Sequence, residues 1–214
     1  MKRIVSLLTL SLLCAANLSA CSEPENGMSS IQEQTEKRFQ LNPHPKQAYR
    51  IKIKINDAPG PLKLMQDMTI RYMARNCSYI INKFEGASTE PTKRISTKLH
   101  QIGQNEYETV VYFDAMQDEN YFGQGVCQWQ PDGFGTSFKA TGKPEETTFN
   151  VSDLMEHLTE KKALTKYYLK DRYPFPITRQ YDYTDFGSGS IDDFSAKNQK
   201  NLFTITVSLE EIKS

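Results

Sequence analysis

The 214-residue chain is poor in the residues that catalysis and metal binding most often use: three histidines, four cysteines and one tryptophan. It also lacks an excess of either charge, since 26 Lys and Arg balance 26 Asp and Glu. A neutral chain does not carry the clustered cations that a phosphate backbone demands, so nucleic acid is not an expected partner. Known catalytic signatures are missing too. Gly187-Ser188-Gly189-Ser190 has the wrong spacing for a nucleophile elbow, no glycine-rich loop ends in Lys-Ser or Lys-Thr, and no His-Glu-x-x-His occurs. His44, His100 and His157 fall in separate segments. Asp114, Asp118, Glu119 and Asn120 form one oxygen-rich patch and Asp182, Asp185, Asp192 and Asp193 another, but neither has the alternating ligand spacing of a calcium loop. No catalytic residue, metal set or cofactor is therefore expected. With 38% hydrophobic and 24% charged residues, the composition is that of an ordinary globular domain.

What the chain does have begins at its N terminus. Met1-Lys2-Arg3 is basic, Ile4 to Ala16 carries no charge, and Leu18-Ser19-Ala20-Cys21 follows. The apolar run is too short to span about 30 Å of hydrocarbon and has the proportions of a secretory signal. Its ending resembles the lipobox of bacterial lipoproteins. That resemblance implies removal of residues 1–20 and acylation of Cys21 as the first mature residue, a lipid anchor far firmer than a single acyl chain. In the same family an aspartate after the cysteine means inner-membrane retention; Ser22 stands there instead. The expected location is the cell envelope, on the outer membrane facing the periplasm. The mature chain would have 194 residues and a net charge of about −2.

Export bears on the remaining thiols. Cys14 lies in the discarded run, which leaves Cys77 and Cys127 in an oxidising compartment with no third ligand nearby and no Cys-x-x-Cys pairing. A disulfide between them is expected, worth about 4 kcal/mol on the loop-entropy model. Residues 21–47 are polar and rich in Glu, Gln, Ser and Pro, and are read as an acylated flexible tether spanning about 28 Å.

Residues 48–214 are read as one domain. Tyr49, Ile51, Ile53 and Ile55 alternate with Arg50, Lys52 and Lys54, and Met68, Ile70, Tyr72 and Ala74 alternate again. Further strands are expected at Ile95 to Ile102, Tyr107 to Phe113, Gly125 to Gln130, Phe134 to Ala140, Thr165 to Leu169 and Leu202 to Leu209. Asn56 to Pro61 reads as a turn, as does Pro131-Asp132-Gly133 between two paired strands. Only Ser152 to Lys162 looks helical, capped by Ser152 or Asp153, with Leu154, Met155 and Leu158 as its apolar stripe. The fold class is mainly β, an antiparallel β-sandwich with one short helix; a closed barrel is the rival. Tyr183 to Lys200 is read as a long surface loop.

Seven aromatics fall between Tyr167 and Phe186, around Tyr173-Pro174-Phe175-Pro176. Tyrosine joins large contact area to a polar tip and suits protein interfaces, although such rings equally fill a sandwich core. Tyr173, Phe175, Tyr181 and Tyr183, with Asp182 and Asp185, are the candidate partner-binding residues.

Two blocks resemble a family. Asp57-Ala58-Pro59-Gly60-Pro61-Leu62 and Asp118-Glu119-Asn120-Tyr121-Phe122-Gly123-Gln124-Gly125-Val126-Cys127-Gln128-Trp129 are similar to blocks shared by immunity-type lipoproteins encoded beside secretion-system effectors, including type VI lipase effectors. The likeness spans about Ile51 to Phe149, with Asn120 and Leu62 where the family pattern has Asp and Phe. It implies a non-enzymatic lipoprotein that binds and neutralises a toxic secreted protein. A structural accessory lipoprotein of an envelope or secretion complex is the alternative. The second block also has a structural reading: Gly123 and Gly125 let the chain fold under Tyr121 and Phe122, with Trp129 packed near the disulfide.

Overall fold

The computed structural model describes residues 31, 33–82, 84–176 and 183–213. The architecture is mainly β, with two five-stranded sheets facing each other and a small separate hairpin. The first sheet joins β1 (Ala48–Asn56), β6 (His100–Gly103), β7 (Glu106–Tyr112), β10 (Ala163–Leu169) and β12 (Leu202–Glu211) in the order β10-β12-β1-β7-β6, all antiparallel. The second joins β2 (Lys63–Met73), β5 (Thr92–Thr97), β8 (Gln130–Lys139), β9 (Thr148–Leu154) and β11 (Thr184–Asp185) in the order β11-β9-β8-β2-β5. Among the described residues, only the two-residue β11 runs parallel to its neighbour. The hairpin pairs β3 (Tyr79–Asn82) with β4 (Ala87–Thr89).

The period of two does what it predicts. Ile51, Ile53 and Ile55 on β1 and Phe203, Ile205, Val207 and Leu209 on β12 are buried between the sheets. Arg50, Lys52 and Lys54 face water and meet Glu106, Glu108 and Glu210 at 3.1 to 3.9 Å. Such exposed pairs contribute little individually. The core itself is aromatic. Phe149, Tyr168 and Phe203 pack within 5.0 to 5.6 Å of one another.

Buried tyrosines pin one sheet to the other. Tyr72 on β2 donates its hydroxyl to the Tyr112 carbonyl at 2.6 Å, and Tyr168 on β10 donates to the Asn150 carbonyl at 2.7 Å. Each satisfies a buried polar group while crossing between layers. Lys166 on β10 adds an ion pair to Asp153 on β9 at 2.8 Å.

Four expectations change. Ile95 to Ile102 is two strands in different sheets, because buried Leu99 turns the chain into the core while its N–H bonds the Asp67 carboxylate at 3.0 Å. Pro131-Asp132-Gly133 is not a turn but the opening of β8, so Gly125 to Gln130 and Phe134 to Ala140 do not pair with each other. Pro131 is tolerated because it precedes the first β8–β9 pair, Gly133 with Leu154, and so has a strand on one side only. The β2–β8 register shifts between Arg71 and Tyr72, leaving Asp132 as the extra residue. Its carboxylate is held by Arg71, whose Nε lies at 2.6 Å, and by Arg75.

The helix is shorter than expected, Met155–Lys161, because Ser152 and Asp153 belong to β9; the cap position is Leu154, which is exposed and outside the apolar stripe. A 3-10 turn, Ile191–Asp193, and a four-residue helix, Ala196–Gln199, punctuate the late loop, and a further 3-10 turn, Lys170–Arg172, follows β10. Finally, the packed body reaches upstream of Ala48. Phe39 is 5% exposed and Leu41 bridges to Met116, so at least residues 39–47 are docked onto the domain and not a free tether. Cys77 and Cys127 are joined by a disulfide.

Candidate interaction surfaces

The strands leave two ends, built from different parts of the chain. One, the disulfide end, gathers residues 39–47, 74–82, 84–91, 113–129 and the helix Met155–Lys161. Its glycines are used where positive φ is needed: Gly123 and Gly125 have φ of 72° and 111°. They let the chain curl so that Asn120 Oδ1 accepts the Gly125 N–H at 3.2 Å and Glu119 bridges to Cys127. Phe39 then sits edge-on among Tyr121, Phe122 and Trp129, at centroid distances of 5.3, 6.2 and 4.9 Å. Trp129 is buried in the same core cluster as Cys77 and Cys127.

The acids here serve the loops. Asp114 accepts the N–H groups of Lys46 and Gln47, each at 2.9 Å, and Asp118 accepts that of Trp129 at 2.9 Å. An open cleft of about 900 Å³ lies beside the helix, between Met73, Phe113, Trp129, Glu156 and Glu160. Among the described residues, no three His, Cys, Asp or Glu side chains are grouped to hold a metal ion. Beyond the cleft the β3–β4 hairpin carries Ile80 and a fully exposed Phe84, with exposed Val126 next to its disulfide-tied base.

The opposite, tyrosine end holds most of the candidate binding residues, and two of them are committed internally. Tyr173 donates its hydroxyl to the Pro61 carbonyl at 3.0 Å and packs so closely on Gly60 that a Cβ there would not fit. It locks the Asn56 to Pro61 turn in place. Asp185 is 4% exposed, accepting the Arg172 guanidinium at 2.9 Å and the Gly187 N–H at 3.0 Å. It is a buried ion-pair partner and not a free acid, because β11 draws it in beside β9. Tyr183 is half-buried with the Arg172 guanidinium 5.8 Å above its ring. Phe175 is 46% exposed, and Phe186, the last ring of the aromatic run and not among the candidate binding residues, is 61% exposed. Tyr181 and Asp182 lie outside the described residues, as does Cys21.

This end is bound together by polar contacts. Glu146, 3% exposed, accepts the N–H groups of Thr141, Gly142 and Lys143 at 2.7 to 3.2 Å and the Thr141 hydroxyl at 2.5 Å. Burial pushes its carboxyl upward, but these hydrogen bonds outweigh it and hold the group below the usual range. The folded loop then offers Thr147, whose N–H and hydroxyl bond the carbonyls of Pro174 and Arg172 at 2.8 and 2.6 Å.

No family model, curated protein or solved structure matches the chain. The likeness to immunity-type lipoproteins therefore rests on the two sequence blocks, one forming the turn under Tyr173 and the other the wall beneath Phe39.

Proposed function

We propose that the protein is a lipid-anchored, periplasm-facing envelope protein that binds a toxic secreted effector and neutralises it by covering the effector's working surface. The observation that carries this reading is the combination at Met1 to Cys21 of a basic start, a short apolar run and a lipobox-like ending. The Cys77–Cys127 disulfide supports it, since such bonds persist in oxidising compartments. The exposed rings of Phe175 and Phe186 at one end, and of Phe84 at the other, offer apolar anchors of the kind that dominate protein interfaces.

The test has two arms. In cells, Cys21→Ser should abolish incorporation of labelled palmitate and release from the membrane fraction should follow. With the detergent-extracted full chain, the purified secreted protein encoded beside the gene should form a stable complex and lose its toxicity. Recovery of the chain in an envelope assembly, with no complex and no protection, would favour the accessory role instead.

A further inference from the structure

The second sheet turns one face inward and the other to solvent. Phe134, Thr136 and Phe138 of β8 point to the core, so Gly133 and Gly135 occupy consecutive outward positions on the central strand. On one side of them stand Thr69 and Arg71 of β2 with Arg94 and Ser96 of β5; on the other stand Ser152 and Leu154 of β9. The result is a groove of about 430 Å³ with the half-buried Gly135 in its floor and Arg71 and Leu154 in its walls.

Packing accounts for Gly133 but not for Gly135. Gly133 is buried, and a Cβ there would press on the Asp153 carbonyl at 3.3 Å; Gly135 is only half-buried, has no positive φ, and a Cβ on it would meet Ser152 at an ordinary 3.5 Å. Glycine inside a strand costs roughly 0.5–1 kcal/mol relative to alanine, and β-branched residues do better still. What the missing side chain of Gly135 creates is access, which is the other common meaning of glycine in a strand.

The unmatched charge of the site is positive. Arg71 and Arg94 are directly opposed across β2 and β5, an arrangement that repels. Asp132 answers only part of it, with one carboxylate oxygen on Arg71 and the other on Arg75. The acid lining the groove, Asp153, is already matched by Lys166. Arg94 is exposed and has no hydrogen-bond or ion-pair partner among the described residues.

We propose that this groove is a docking site for an extended acidic segment of a protein partner. The unpaired guanidinium fork of Arg94 suits a carboxylate, Arg71 adds positive charge although its own fork is held by Asp132, Gly135 admits a backbone, and exposed Leu154 offers one apolar contact. A membrane surface presents its charges on a plane and does not reach a recessed floor. The proposal names the binding face for the effector reading and rests on it for the partner's identity, but not for the groove's chemistry.

The test uses the chain from Ser22 onward, which retains every described residue, and a fluorescent oligoglutamate peptide as probe. Oligolysine and phosphatidylglycerol vesicles serve as comparisons. Oligoglutamate should bind saturably and more weakly as salt rises, with no binding of oligolysine. Gly135→Val should keep or raise the melting temperature while weakening binding by about tenfold, and Arg94→Glu should weaken it about as much at unchanged stability. Equal binding by the wild type and both variants would overturn the proposal, as would vesicle binding that both variants lose without any oligoglutamate binding. If the neighbouring secreted protein fails to bind the wild type while oligoglutamate still distinguishes the variants, only the effector reading falls.

Discussion

The two ends of the sandwich are closed by different chemistry. The disulfide end is held by one covalent bond and by rings stacked around Phe39 and Trp129. The tyrosine end has no covalent tie among the described residues; it depends on the Glu146 carboxylate, the Arg172–Asp185 ion pair and the Tyr173 hydroxyl. The first is sensitive to redox state and the second to protonation. The covalent bond holds the end that carries the longer loops.

The largest expected effect breaks the first end. Replacing Cys77 and Cys127 by alanine frees a loop of 50 residues' separation and should lower stability by about 4 kcal/mol, read as a drop in the denaturant midpoint. Reductant should do the same to the wild type and nothing to the variant.

Glu146→Ala is the matching break at the other end. It strips three backbone N–H groups of their acceptor in a buried loop and should cost about 3 kcal/mol. Reductant sensitivity should remain, which separates the two ends.

The smallest effect sharpens the comparison by crossing it. Asp153, near the disulfide end, is a polar tie between sheets. Burial raises its carboxyl, but hydrogen bonds from Lys166, His157 and the Leu154 N–H outweigh that and bring it from 3.8 to about 2. A carboxyl depressed on folding binds protons more readily in the unfolded chain, so its contribution is complete above pH about 4 and disappears as pH falls through about 2. The slope of stability against pH in that window should flatten in Asp153→Asn, by about 2 kcal/mol across it. An unchanged slope would remove Asp153 from the set of inter-sheet ties.

Much of the sandwich was legible along the chain. The alternation of Ile51, Ile53 and Ile55, and of Phe203 through Leu209, is a local property that one buried face imposes. Phe149 and Val151 show the same signal in β9, but the helix-like residues that follow masked it. Leu99 could not be read as a corner, because a single buried leucine between two strands has no periodicity of its own. Pro131-Asp132-Gly133 has turn composition, and only Arg71 and Arg75, more than 50 positions upstream, make it a bulged strand. Phe39 was missed as a packed residue for the same reason: its partners, Tyr121, Phe122 and Trp129, are remote in sequence.

The candidate binding residues show this most clearly. Composition identifies Tyr173, Tyr183 and Asp185 as polar or amphipathic groups in a loop-rich stretch, and nothing local distinguishes a contact surface from an internal brace. Tyr173 becomes a brace through Pro61, and Asp185 through Arg172.

By itself the amino-acid sequence determined which segments alternate, where the chain turns at Asn56 to Pro61, and the basic, apolar and cysteine-terminated pattern of residues 1–21. Those depend on neighbours a few positions apart. Only the tertiary structure decided which strands share a sheet, that Phe39 is packed into the body, that Asp185 is withdrawn from solvent, and that Gly135 lies in a groove between arginines and Leu154. Each of these depends on residues far apart in the chain, and it is packing between the two layers that selects their partners.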